Sequence, residues 1–382
     1  MNEIESICRT ASELVARGER SFLASVVRVR GSAYRRAGAR LLFGEGGAIA
    51  GSVSAGCIES ELLRTGSWHA ASRAVIRTFE AFGAEDDEPR VGSGCGGSVD
   101  VLIEPVTGGC ADALAFVGEA LGSQQRVGLI TVVQTNSRLC ELAARVVCAS
   151  NRSLSFGIAL GLESELEVLA RETLEDGATK ARCIRRGTLD LLLEVLEPTP
   201  RLFVFGAQAD AVPVVTFASE LGWEVTVVSR HDRPVMRERF VGSRCRFLAA
   251  SALEAVPLLD RCARPLAVVM SHDYSNDRET LAALLTSKAR YLGVLGPLAR
   301  TQRLLADIES AGHDVSTALG RIHAPVGLNI LAQTPAEIAL AIVAEAQASL
   351  RGTDPRGLRE QKSSVHAAPG PDLRLALAEA AE

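Results

Sequence analysis

Arg201-Leu202-Phe203-Val204-Phe205-Gly206-Ala207-Gln208-Ala209-Asp210-Ala211 reads as a buried strand that stops on a glycine and turns directly into a helix. The helical stretch runs from Ala211 to Leu221 and ends before Gly222, and Glu224–Val228 is the next strand. The alternation continues through strands at Leu266–Met270 and Tyr291–Val294 and helices at Arg278–Thr286 and Ala299–Ala311. A final helix, Ala336–Leu350, is introduced by Thr334-Pro335, a capping residue followed by proline in the first turn. Strands and helices alternating at this spacing predict a Rossmann-like, doubly wound parallel sheet.

Upstream, Glu197-Pro198-Thr199-Pro200 is the best linker, because two prolines follow the last strand of a different rhythm. The expected organisation is residues 1–197 as one α/β domain of mixed strand order, 198–200 as linker, 201–350 as the doubly wound domain, and 351–382 as a polar, disordered tail. In the first domain an amphipathic helix carries Ile4, Ile7, Cys8, Ala11, Leu14 and Val15 on one stripe. Strands are expected at Phe22–Val29, Arg40–Phe43, Val75–Phe79, Val99–Pro105, Val127–Val133 and Leu189–Leu196, and helices at Cys57–His69 and Ala111–Leu121. An acidic loop lies between Phe82 and Pro89.

The 382 residues are 47% hydrophobic and 23% charged, so large cores are accessible. A net charge of −5 argues against nucleic acid as a partner. No apolar run is long enough for a bilayer span and the N-terminus is not a signal peptide. The cysteines, nine in all, form no Cys-x-x-Cys pair, which predicts reduced thiols and a cytoplasmic protein.

Two of those cysteines stand in glycine-rich segments, Gly51-Ser52-Val53-Ser54-Ala55-Gly56-Cys57-Ile58-Glu59 and Gly92-Ser93-Gly94-Cys95-Gly96-Gly97. Backbone bare of side chains can approach an anion and aim N–H groups at it. Cys57 opens a helix, where free N–H groups and the helix dipole favour a thiolate. Glu59 either holds a ligand or is simply a favourable first-turn residue. Gly94, Gly96 and Gly97 either frame a site or mark a tight turn. Arg35, Arg36 and Arg40 flank the Gly31 turn, where they can fork onto a phosphate or decorate a solvated hairpin.

In the second domain only Gly206 remains of a G-x-G-x-x-G fingerprint, with Gln208 and Ala211 at the other glycine positions. A glutamine crowds the approach to a pyrophosphate, and Asp232 is a poor match for the ribose acid, so NAD(P) binding is not supported. His272, Asp273 and Asp277 follow the Leu266–Met270 strand and form, with Gly206, a second candidate cluster. The alternative is that Asp273 or Asp277 caps the next helix while His272 orients the loop.

These residues together resemble the XdhC/CoxI family, accessory proteins of xanthine dehydrogenase and related molybdenum hydroxylases. The resemblance covers roughly residues 1–350 and rests on Gly31-Ser32, Arg35, Gly38-Ala39, the segment from Gly51 to Glu59, Gly94-Cys95-Gly96-Gly97 and Glu104-Pro105. In the second half it rests on His272-Asp273, Tyr291-Leu292-Gly293, Leu295-Gly296, Pro325 to Leu328, and Thr334-Pro335 through Glu345. Tyr34, Ala55, Gln208, Ala209, Ser229, Pro297 and Asn329 depart from the family pattern, most of them at the nucleotide crevice.

The resemblance implies a chaperone that binds the molybdenum cofactor, supports exchange of an oxo ligand for sulfur with a cysteine desulfurase, and delivers the cofactor to an apo-hydroxylase. It implies Cys57 and Cys95 near molybdenum, Arg35 on the cofactor phosphate, Glu59 as a polar partner, and Gly56 and Gly96 as close backbone. Soft thiolates and arginine suit such a cargo. An NAD(P)-dependent oxidoreductase and an adaptor that docks both partners without holding the cofactor are the competing readings. A symmetric homodimer is a further expectation.

Overall fold

The structure is a computed structural model and describes residues 2–31, 33–54, 56–80, 97–176, 181–241, 245–353 and 355. Helix α1 (Glu3–Ala16) begins the chain, and its buried stripe is Ile7, Cys8, Ala11 and Leu14. Val15 lies one residue further round the helix, off that stripe, and is 45% exposed. Strands β1 (Ser21–Arg30), β2 (Arg40–Gly44) and β3 (Gly47–Gly51) follow, then α2 (Cys57–His69), β4 (Val75–Glu80) and β5 (Ser98–Pro105). They make an antiparallel sheet in the order β3-β2-β1-β5-β4.

Helix α3 (Gly108–Gly122) leads to a second antiparallel sheet built from β6 (Val127–Thr135), β7 (Cys140–Ala149), β8 (Arg152–Ile158), β9 (Arg182–Arg186) and β10 (Leu189–Leu196), with α4 (Leu160–Glu175) between β8 and β9. Its order is β8-β7-β6-β10-β9. Sequence periodicity misses β7, β8, β9 and α4. Helices α1 and α3 share one core, in which Ile7, Cys8, Ala11 and Leu14 meet Phe116, Val117 and Leu121.

The parallel sheet uses β11 (Arg201–Phe205), β12 (Glu224–Ser229), β13 (Cys245–Ala249), β14 (Pro265–Val269), β15 (Tyr291–Val294) and β16 (Ile322–His323). Its helices are α5 (Ala211–Glu220), α6 (Pro234–Glu238), α7 (Ala252–Leu259), α8 (Tyr274–Leu285), α9 (Leu298–Ser310) and α10 (Pro335–Arg351). The order β13-β12-β11-β14-β15-β16 winds outward on one side of β11 and then on the other. Arg201 is level with both Glu224 and Pro265, so the strands start together. Residues of α5 and α10 close one core over this sheet, and those of α7 and α8 another. Thr334 caps α10 and Glu337 reaches back to complete a capping box. The fold is therefore mixed α/β, antiparallel in its first half and a doubly wound parallel sheet in its second. Of the expected 351–382 tail, Arg351 ends α10, while residues 354 and 356–382, like the acidic 82–89 loop, lie outside the described residues.

Candidate functional site

Strand register gathers the sequence motifs. Arg30, at the end of β1, pairs with Ser98 at the start of β5, and Ser98 pairs with Glu80 at the end of β4. On the other side, Gly51 ends β3 opposite Leu41, next to the start of β2. The ends of β1 and β4 and the start of β5 are thus level, while β3 runs the same way as β1 but ends level with Ala24, well short of Arg30. Cys95 and Gly96 themselves lie outside the described residues, and Cys57 is described as the first residue of α2.

Glu59 organises the 52–56 loop. One carboxylate oxygen accepts the N–H groups of Val53 at 3.0 Å and Ser54 at 2.7 Å, and the other accepts Gly56 N–H at 3.0 Å and the Ser54 hydroxyl. Ser54 in turn caps α2, its Oγ accepting from Gly56 N–H at 3.1 Å and Ile58 N–H at 3.2 Å. Burial works against the Glu59 charge, but hydrogen bonds from Ser54 and Val53 outweigh it and hold the carboxyl below its ordinary range. Gly56 has φ +121°, which only glycine adopts without strain. Glu59 is the first-turn residue of α2 that one sequence reading described, and it also anchors the loop that leads into Cys57. Ser54 escaped notice because a cap two residues ahead of the N-cap has no simple spacing signature.

The arginines divide. Arg35, partly exposed, donates through Nη2 to both carboxylate oxygens of Glu3 of α1, at 2.5 and 2.8 Å. Arg40 is not a surface ligand, contrary to the reading of the Gly31 turn. Its guanidinium lies inside, 6% exposed, donating to Glu194 of the second sheet at 2.5 and 3.0 Å. A carboxylate from the other sheet draws it inward. Arg145 and Glu104 form a second buried pair between the sheets. Burial also pushes the Cys8 thiol, near Arg40, up to about 12. Cys8, Cys110, Cys140, Cys148 and Cys262 are buried, where a thiol packs as a small apolar side chain. Among the described residues, no group of three or more His, Cys, Asp or Glu could hold a metal ion.

The second cluster lies at the carboxyl ends of the parallel strands. Gly206 is at φ +143°, and a β-carbon there would overlap the Met270 carbonyl oxygen. His272 Nε2 is 2.6 Å from Asp210 Oδ2, a pairing with no linear signature because the partners are 62 residues apart. Asp273 caps α8 by accepting from Asn276 N–H at 2.7 Å. Asp277 is buried and receives the Ser271 hydroxyl at 2.5 Å and Arg300 at 2.8 Å. Asp273 therefore follows the capping alternative, while Asp277 braces the loop from beneath. Asp232 pairs with Arg237 instead of facing β11.

Among the described residues no helix is long and apolar enough to cross a membrane. Comparison with known proteins matches residues 14–80 to the XdhC and CoxI family and residues 202–346 to the XdhC Rossmann domain. A Bacillus subtilis protein named as a probable xanthine dehydrogenase subunit is 27% identical over 86% of this chain and 92% of its own length. The molybdenum cofactor insertion chaperone PaoD of Escherichia coli is 23% identical over 89% of this chain and 86% of its own. A solved structure described as a xanthine dehydrogenase of Bacillus halodurans superposes with a TM-score of 0.70 at 26% identity, covering 95% of this chain and 98% of that one. With each half matched to its own family model and both halves spanned by single relatives, the chain belongs to the XdhC and CoxI family.

Proposed function

We propose that this protein is an accessory chaperone that carries the molybdenum cofactor as cargo and hands it to a xanthine-dehydrogenase-type hydroxylase. The observation that carries the reading is that β1, β3 and β4 all run toward one end of the first sheet and lead from there into the motif segments. A relative named as a molybdenum cofactor insertion chaperone, aligned across both halves, supports it. In this reading the thiolates of Cys57 and Cys95 meet the metal centre, and Gly56 and Gly96 leave room for the pterin. Arg35 meets the cofactor phosphate by exchanging Glu3 for it, a swap between two anions on a partly exposed guanidinium. Sulfuration brings a cysteine desulfurase to the same loops, and delivery brings the apo-hydroxylase.

Purification from a host competent in cofactor synthesis, followed by metal analysis and fluorescence of the oxidised pterin, tests this. Near-stoichiometric pterin is expected in the unmodified protein and a loss of about tenfold or more in the Cys57→Ala, Cys95→Ala double variant. Pterin content unchanged in that variant rejects the thiol assignment. No pterin in the unmodified protein, with stable complexes to both partners, would instead make it an adaptor.

A further inference from the structure

The parallel sheet reverses its winding between β11 and β14, and in open α/β sheets the crevice beyond the carboxyl ends at such a reversal takes ligands. Asp210 follows β11 and His272 follows β14, so their 2.6 Å pair straddles the crevice. His272 holds φ +61°, a left-handed conformation that a residue with a β-carbon adopts only under constraint. The constraint is visible on both sides. Ser271 is tied to Asp277 through its N–H at 3.2 Å and its hydroxyl at 2.5 Å, and Asp273 N–H donates to Ser271 Oγ at 3.2 Å. The imidazole is thereby held outward, its side chain 53% exposed, with Nδ1 taking no hydrogen bond among the described residues.

Arg239 reaches the same loop from the other flank. Its Nη1 donates to the Ala207 carbonyl at 2.8 Å and to Gln208 Oε1 at 3.1 Å. Among the described residues no carboxylate pairs with this guanidinium, whereas Arg230, Arg237 and Arg300 nearby are matched to Glu279, Asp232 and Asp277. Gln208, which spoils the dinucleotide fingerprint, is the residue that holds Arg239 in place. The first half of the chain meets the parallel sheet at the amino ends of its strands, through Thr199, Ala263 and Arg264, and so leaves this edge uncovered.

We propose that this crevice binds a phosphate monoester, its phosphate lying between the free donors of Arg239 and the imidazole of His272. Asp210 orients the ring through its contact with Nε2. A guanidinium gives a phosphate two parallel hydrogen bonds. A dinucleotide fits poorly, because Gln208 and Arg239 cover the backbone that a pyrophosphate would approach, and the Asp210 carboxylate repels a second phosphate. This assignment does not rest on the cofactor reading, since its residues and its probes are different.

Isothermal titration of the full-length protein with inorganic phosphate, 5′-AMP and NADH tests it. Phosphate and AMP should both bind, and Arg239→Ala should weaken both by about tenfold or more, the worth of a charge-assisted contact. Arg239→Lys should keep part of the affinity and His272→Gln should lower it several-fold, with thermal melts confirming that each variant is folded. AMP tighter than phosphate would show that the organic group contributes, and equal affinities would show that the phosphate alone is read; both support the proposal. Absence of any phosphate or AMP binding up to about 10 mM, affinities untouched by Arg239→Ala, or NADH binding more than tenfold tighter than AMP would overturn it.

Discussion

Glu59 is one carboxylate that satisfies three backbone N–H groups, so its removal exposes the loop to more than the loss of a charge. Glu59→Gln should lower stability by about 1–3 kcal/mol at neutral pH, because an amide oxygen replaces a carboxylate that accepts from the buried Val53 and Ser54 as well as from Gly56. The pH dependence has a fixed sign. The folded carboxyl titrates below its ordinary value of 4.5, so its contribution is complete above that value and is lost as pH falls through the folded pKa. Melting curves of the two proteins should therefore be separated at pH 7 and draw together as pH falls below 4.5. A gap that stayed constant down to pH 3 would show that the carboxylate charge is irrelevant. Two glycines offer a sharper contrast. A β-carbon at Gly56 meets nothing within 4 Å, so Gly56→Ala carries only the backbone cost of about 1–2 kcal/mol. At Gly206 the same change drives a β-carbon into the Met270 carbonyl, and urea unfolding should show a loss of about 3 kcal/mol or more.

Between the antiparallel sheets, Arg40–Glu194 and Arg145–Glu104 bury two ion pairs where apolar contacts would otherwise join the layers. Arg40→Met leaves Glu194, only 3% exposed, without its counterion, and should cost about 3–5 kcal/mol. The double variant Arg40→Met, Glu194→Leu should recover most of that loss in urea unfolding, since it removes both charges. Failure to recover would mean the pair does more than neutralise itself. These pairs also explain what could be read in the chain. The parallel sheet was legible because β11, β12, β14 and β15 are short, nearly uninterrupted apolar runs bounded by glycines and caps. Helix α2 and strand β10 were legible for similar reasons. Strand β7 was not, since Arg145 occupies a core position and Ala143, at φ +68°, breaks the alternation with a bulge. The site followed the same division. Cys57 at a helix start and Asp273 as a cap are local facts that spacing reveals. Arg40 turning inward, Gln208 gripping Arg239 and Asp210 meeting His272 depend on partners far along the chain.

The two halves of the molecule meet at the short segment that two prolines mark. Thr199 is 1% exposed; its N–H donates to Glu5 Oε1 at 2.8 Å, its hydroxyl donates to Glu5 Oε2 at 2.7 Å, and its Oγ1 accepts from Asn2 N–H at 3.0 Å. Asn2 Nδ2 donates to the Glu197 carbonyl at 3.0 Å, and Arg126 Nε lies 3.0 Å from the Glu197 carboxylate. Arg264, itself buried, stands 4.0 Å from the same carboxylate and donates to the Leu350 carbonyl at the end of α10. The start of α1, the entry to β6 and the end of α10 therefore converge on residues 197–199. Proline marks the segment, and the packing of these side chains makes it a fixed joint. Glu5→Ala removes the acceptor of both Thr199 donors while leaving the core stripe of α1 intact. Opening of the joint should become easier by about 1–2 kcal/mol, the worth of those charged hydrogen bonds. Cleavage near residue 200 under limited proteolysis should then quicken by about tenfold, because cleavage tracks the population of the open form when closing is fast. The expected companion is a thermal transition that broadens or divides as the halves lose their coupling. Cleavage at an unchanged rate and a single sharp transition in Glu5→Ala would show that Arg126 and Arg264 hold the joint without help from α1.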